Sequence, residues 1–232
     1  MTAPTPPRAQ SAHEATQEKI LNAAERLFAQ SGLERVSMRD ITRAAGVNLA
    51  AINYHFGSKD GLIEAVFDRR LTPLNEQRLA ALAMVERAAG KRPPRVEAIL
   101  GALIRPVVAL ALDPNLGAAT FTGLMGRCLA EPGELFERLI QKHFETLVGR
   151  FHAALLRAIP ELPREEIFWR MHFTAGALHQ SLLTMEKPLP GWLKSILNSE
   201  SPPLDAEGQV RRLVAFAAAG LRAPSSAPSA RS

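Results

Sequence analysis

The stretch SMRDITRAAGVNLAAINYHF, residues 37–56, decides how this chain is read. Ser37 with Asp40 three positions on is a capping-box-like helix start. Met38, Ile41 and Ala45 give that first short helix an apolar side. Gly46 then ends it in a tight turn, and Asn48 is placed to cap a second short helix. In the second helix only Val47, Ile52 and Phe56 look like core residues. Two short helices joined by a glycine-containing turn form the helix-turn-helix pattern. A helix that enters a DNA major groove keeps one side in a small core and offers small and polar residues on the other. Asn48, Leu49, Ala50, Ala51, Asn53, Tyr54 and His55 suit that division. Asparagine pairs with adenine edges, and Tyr and His donate to phosphates. The plainer reading is a small helix in a helical domain with merely solvated polar residues, and spacing alone leaves the two nearly even.

Outward from this stretch, Ile20, Leu21, Ala24, Leu27 and Phe28 recur at helical spacing in a helix opened by Thr16 and stopped by Gly32. On the other side, GSKDGLIEAVFDRRL begins a longer helix capped by Ser58, with Leu62, Ile63, Val66 and Phe67 as its face. After Leu71 the helices lengthen, and the breaks carry proline: Pro73, Pro93, Pro94, Pro114, Pro132, Pro163 and Pro188. Helices are expected near 74–89, 95–111, 115–129, 133–158, 164–185 and 206–221, with a kink or break at 102–105 ahead of Pro106. KPLPGWLKSILNSESPPLD reads as a loop-rich connector. Strand signals are nearly absent. The expected fold is all-α: a flexible arm over 1–14, a three-helix DNA-binding domain over 15–72, a larger helical domain over 73–222 and a disordered tail over 223–232.

Composition narrows the classes. Hydrophobic residues make up 47% of the 232, enough for a sizeable core. The formal charge of +5 fits an anionic partner without requiring one. A single cysteine, Cys128, rules out an internal disulfide and a multi-cysteine zinc site. That usage, with no secretory h-region and no membrane-length apolar run, leads us to expect a cytoplasmic protein with no membrane partner. The histidine pairs His143/His152 and His172/His179 lack the spacing of adjacent helical ligands, so no metal and no cofactor is expected. Cys128 beside Arg127 has a reactive reading and a core reading, and the core reading is preferred. No nucleophile elbow, P-loop or dinucleotide fingerprint appears, which makes an enzyme the poorer hypothesis.

The block ILNAAERLFAQSGLERVSMRDITRAAGVNLAAINYHFGSKDGLIEAVF, residues 20–67, resembles the N-terminal domain of the TetR/AcrR family of bacterial repressors. The resemblance implies that Ser37–Phe56 is a DNA-binding helix-turn-helix. It implies DNA contacts from Ser37, Arg39 and the 48–54 segment, with Tyr54, His55 and Lys59 on the phosphate side. Leu49, Ala50 and Ala51 depart from the frequent lysine, glycine and threonine, so Leu49 and Ala51 are expected to meet thymine methyls. The family further implies a homodimer on a palindromic double-stranded operator, and a small ligand held by the larger domain. ELPREEIFWRMHFTAGAL and LVAFAAAGLRAP resemble the branch that senses fatty acids or acyl-CoA thioesters.

The dimer is expected through Phe168, Met171, Ala175, Leu178 and Leu182 on one helix and Val210, Leu213, Val214 and Ala217 on another, each set at three-or-four spacing. A single such face also suits intramolecular core. The apolar run from Ile99 to Leu112, with Thr120, Phe121, Met125, Phe144, Leu147 and Phe151, is a candidate ligand lining, and Arg105 and Arg127 are candidate partners for an anionic head. A solid core and snorkelling arginines are the alternatives. The function expected is a repressor of lipid-metabolism genes released by an acyl ligand. The alternatives are a multidrug-type repressor of an efflux gene and a helical enzyme or interaction module that does not bind DNA.

Overall fold

A computed structural model describes residues 7–112, 118–130, 133–185, 190–197 and 205–225. All regular structure among them is helical: α1 (Pro7–Ser31), α2 (Met38–Ala45), α3 (Leu49–Phe56), α4 (Lys59–Ala89), α5 (Val96–Ala111), α6 (Ala118–Ala130), α7 (Glu134–Ala158), α8 (Arg164–Met185), α9 (Gly191–Leu197) and α10 (Ala206–Arg222). No helix of the described residues is long and apolar enough to cross a membrane. The chain divides into two compact units. The first holds Met1–Thr72 with Gly123–Lys142, and the second Pro73–Thr122 with His143–Ser232. Gly123–Lys142 therefore belongs with the N-terminal unit although it lies inside the 73–222 stretch.

Four local expectations are corrected. α1 begins at Pro7 rather than Thr16, so much of the expected arm is helix. Proline is well placed at a first helical position, and the alanines and glutamate that follow favour the helix. Pro73 and Pro106 lie inside α4 and α5 without ending them. A proline removes one ladder bond and crowds one carbonyl. Around Pro106 the helix is held by burial: Ile99, Leu100, Ala102, Ile104 and Val108 are all in the core. Within the expected connector, Gly191–Leu197 is helical. The expected tail from 226, the arm before Pro7 and the connector at 186–189 and 198–204 lie outside the described residues, as do 115–117 of the helix expected at 115–129.

In the first unit, Ile20, Ala24 and Phe28 of α1 pack with Ile41 of α2, Ile52 of α3 and Leu62, Val66 and Phe67 of α4, all fully buried. Glu25 is 3% exposed within this core. It accepts from Arg70 through Nε at 3.0 Å and Nη2 at 3.0 Å, and from Arg69 Nη2. Arg69 also donates to Asn22 at 2.7 Å and Glu18 at 3.2 Å. One buried carboxylate thus ties α1 to α4 through two guanidiniums. In the second unit the core is built on α5, α8 and α10 with Leu82 of α4 and Leu147, Phe151 and Leu155 of α7. Arg170 of α8 closes the C-terminal end of α10 by donating to the carbonyls of Gly220, Leu221, Ala223 and Pro224 at 2.6 to 3.1 Å. The Gly220 carbonyl also accepts from Ala223 N at 3.3 Å; carbonyls at a helix C-terminus otherwise lack ladder donors.

Glu25→Ala leaves two guanidiniums without their shared carboxylate. Because the arginines keep some contact with solvent, the expected loss is about 3 kcal/mol, at the lower end for breaking a buried pair. Urea unfolding of the two proteins, compared at equal slope, measures it.

Candidate nucleic-acid interface and ligand cavity

The 37–56 stretch folds from its own local chemistry. Ser37 Oγ accepts from Asp40 N at 3.2 Å, and Asp40 Oδ2 accepts from Ser37 N at 3.0 Å. The Ser37 hydroxyl, then its backbone N–H, hold the Asp40 carboxyl below its ordinary range. Gly46 sits at φ 66°, the left-handed turn that a side chain disfavours. Asn48 Oδ1 accepts from Ala51 N at 2.8 Å and so caps α3. Ser58 Oγ accepts from Gly61 N at 3.0 Å at the entry to α4. A Cβ on Gly61 would lie 2.2 Å from the Phe56 carbonyl oxygen, so the turn from α3 into α4 requires glycine there.

α3 buries Ile52 alone; Val47 and Phe56 are half-buried. Asn48, Leu49, Ala50, Asn53 and Tyr54 are exposed, Tyr54 by 77%, while Ala51 and His55 are half-covered. Arg39 and Ser37 are exposed on α2 and its cap. Lys59 is half-covered, and its Nζ donates to the Glu34 carbonyl at 3.0 Å. Ser37 and Asn48 are thus both caps and candidate contacts. Their capping oxygens are engaged within the protein, which leaves the Asn48 amide N–H pair for an outside acceptor.

Sequence reasoning missed His13. It belongs to α1, in the stretch set aside as an arm. Its ring lies 4.2 Å from that of His55 and 5.8 Å from that of Tyr54, measured between centroids. Tyr54 and His55 are themselves 5.4 Å apart, edge to face. Partial burial, and secondarily the His13 charge, push the His55 pKa below 6.5. No sequence signal pairs residues so far apart; the periodicity of α1 would have found His13 only if carried back past Thr16.

The second unit contains a cavity of about 190 Å³ lined by Arg78, Leu103, Phe144, Leu147, Val148, Phe151, Phe168, Met171, His172, Thr174, Ala175 and Leu178. Phe144, Leu147 and Phe151, chosen from sequence as ligand lining, meet here. Phe121 is buried in the α6 portion of the same unit but does not line this cavity. Met125 and Arg127 belong to the first unit. There Arg127 donates to the Gln30 carbonyl at 3.2 Å. Arg105 lies on an open groove between α5 and α10, paired with Glu207. The structure therefore brings neither expected arginine to the aromatic cavity. Cys128 is buried, and burial pushes its thiol up to about 11 against the weaker opposing pull of Arg127, which disfavours the thiolate. No metal-holding cluster of three His, Cys, Asp or Glu occurs among the described residues.

The residues expected at a dimer face divide. Leu178, Val210, Leu213 and Ala217 are buried in the unit's own core, with Leu182, Val214 and Met171 packed against it. α5 occupies the side of α10 that periodicity offered to a second copy. Phe168 and Ala175 are exposed at the cavity edge. Besides Phe168, α8 and α10 expose Trp169, Phe173 (65%) and Phe216 (68%), which the three-or-four reading passed over.

Two sequence families match the chain: “Bacterial regulatory proteins, tetR family” over residues 20–66 and “Tetracyclin repressor-like, C-terminal domain” over 101–220. The HTH-type transcriptional repressor BepR of Brucella suis is 26% identical over 218 residues, covering 92% of this chain and 95% of that protein. The HTH-type transcriptional regulator TtgR of Pseudomonas putida is 42% identical over 53 residues, 23% of this chain and 25% of that protein. The probable HTH-type transcriptional regulator YttP of Bacillus subtilis is 45% identical over 49 residues, and the match spans 24% of its length. These last two matches thus reach only about a quarter of each relative. Among solved structures, the fatty acid degradation regulator FadR of Bacillus halodurans superposes with a TM-score of 0.61 at 16% identity, covering 95% of this chain and 99% of that one. A TetR-family regulator from Bordetella parapertussis gives 0.61 at 16%, covering 87% and 93%. At that identity the likeness concerns the fold.

His55 supplies a pH test. A lowered histidine pKa means that the folded protein takes up a proton less readily than the unfolded chain. The contribution is present above pH 6.5 and is lost as the pH falls through the lowered folded value. The His55 ring proton signals followed by NMR should titrate below 6.5, and His13→Ala should move the midpoint only part of the way back, since burial is the larger cause.

Proposed function

Because the chain belongs to the TetR family of bacterial regulators, we propose that it acts as a homodimeric, ligand-responsive repressor that binds a palindromic operator. The observation that carries this reading is α3, which buries Ile52 and leaves Leu49, Ala50, Asn53 and Tyr54 outward at the end of a capped helix-turn-helix. Regulators of this family are not enzymes, and no catalytic role is assigned. Asn48 and Asn53 supply groups for base edges, Leu49 and Ala51 apolar contact for thymine methyls, and Arg39, Tyr54, His55 and Lys59 the phosphate side. A ligand in the larger unit favours a dimer geometry whose recognition helices no longer match successive grooves. That is a population shift, and it requires the ligand to prefer one geometry.

We place the ligand among acyl compounds, apolar in the tail and polar or anionic at the head. The aromatic and aliphatic lining of the cavity supports this, and so does the absence of any acidic residue along it among the described residues. A drug-like cation, the ligand of the multidrug reading, meets a buried guanidinium there instead of a carboxylate.

Binding to operator DNA from the chain's own upstream region, followed by gel shift across a salt series, tests the DNA reading. Lys59→Ala should weaken binding to all sequences and lower the salt slope by about 1. A changed sequence preference at unaltered slope would contradict its phosphate role. Since Lys59 also holds the Glu34 carbonyl, a thermal melt of the variant accompanies the comparison.

The dimer reading rests on the exposed aromatics of α8 and α10. Phe173→Glu combined with Phe216→Glu should leave a folded monomer by light scattering at micromolar concentration, while the unaltered chain scatters as a dimer. A stable, folded monomer of the unaltered chain counts decisively against it.

A further inference from the structure

Arg78 and Arg170 are the arginines buried below a tenth of their surface among the described residues. They are treated differently. Arg170 has a carboxylate, Glu166, at 2.7 Å, and its remaining donors reach the end of α10. Arg78 has none. Its Nε donates to the Leu103 carbonyl at 3.0 Å and its Nη1 to Asn75 Oδ1 at 3.2 Å. Asn75 is a neutral partner, itself held by donation to the His143 carbonyl at 2.8 Å. Nη2 has no acceptor among the described residues and keeps a little contact with solvent.

Burial lowers the Arg78 pKa to about 10, and no neighbouring anion offsets it. The group remains charged at neutral pH. A guanidinium removed from water without a counter-ion is strongly unfavourable, and chains rarely keep one unless something pairs with it. Arg78 sits in the wall of the cavity of about 190 Å³, whose other walls are Phe144, Leu147, Phe151, Met171 and Leu178. The combination is an apolar chamber with one largely buried cation and no acid among the described lining residues.

We propose that Arg78 is the head-group anchor of this cavity and that the ligand is a compact apolar carboxylic acid, bound as the free carboxylate. This rests on the acyl reading above and names its chemical form. With Nε committed to Leu103, the carboxylate is met end-on by one proton from each Nη, a paired geometry that suits two oxygens. The tail lies among the aromatic and aliphatic side chains. The cavity is smaller than the roughly 300–1,000 Å³ that drug-sized ligands occupy, which selects a short or medium chain. A coenzyme A thioester presents a neutral carbonyl where the carboxylate should be, and its nucleotide does not fit the chamber.

The test is calorimetric titration of the full chain with octanoate, octanol and octanoyl-CoA. Octanoate should bind about tenfold or more tightly than octanol, the difference a charge-assisted hydrogen bond supplies. Arg78→Met should remove that preference while octanol binding stays unchanged, and Arg78→Lys should restore part of it. Val148→Trp, which adds bulk to the cavity wall from an exposed position, should abolish binding of both. If Arg78→Met does not fold, the unaltered chain and Val148→Trp decide. Equal binding of acid and alcohol, a preference that survives Arg78→Met, or unaltered octanoate binding by Val148→Trp overturns the proposal. If octanoyl-CoA binds and releases DNA while octanoate does neither, the Arg78 assignment fails and the acyl reading stands. If none of the three binds or releases DNA, both fail.

Discussion

A carboxylate with almost no access to water organises the first unit. Glu25 is stable in that core only because Arg69 and Arg70 converge on it. The three side chains fix α1 against α4 in one register, since a shift along either helix would strand a charge. α2 packs on α1 and α3 on α2, with Ile41 and Ile52 fully buried in this unit. The recognition surface depends on this arrangement, because α3 is short, carries a single fully buried residue and cannot orient itself. Short capped helices supply the local shape, while the buried ion cluster supplies the rigidity with which Asn53 and Tyr54 are presented.

The second unit handles charge in a contrasting way. Its core is nearly all aliphatic and aromatic, and α5 and α10 meet along small residues such as Ala102, Ala217 and Ala218. Arg170 is fully accounted for: it neutralises Glu166 and satisfies the frayed end of α10. Arg78 satisfies two backbone or amide acceptors and no charge. That contrast between the two buried arginines is what the head-group proposal rests on. α8 gives it reach. One side of that helix lines the cavity with Met171 and Ala175, and another carries the outward aromatics Trp169 and Phe173. The same helix therefore carries both the cavity wall and the exposed aromatics.

The residues of 37–56 determined their own structure, and the sequence alone revealed it. Ser37, Asp40, Gly46 and Asn48 act within a few positions of one another, through caps and a left-handed turn, and such signals survive without tertiary context. Helix count and placement in the larger unit were nearly as legible, because a 3.6-residue apolar period needs no partner to be seen. What failed were judgements that depend on neighbours. Pro73 and Pro106 mark breaks by local rules, but core packing held both helices through them. His13 joined Tyr54 and His55 only because α1 extends back to Pro7. The apolar stripes of α8 and α10 said that something covers them and not what does; tertiary packing assigned most of them to the chain's own core. Arg105 and Arg127 looked like head-group partners because each interrupts an apolar run, yet both found acceptors elsewhere. Arg78 sits among polar neighbours in sequence and gave no sign. Burial and the company a charge keeps are properties of the folded chain, decided by which helices close over it.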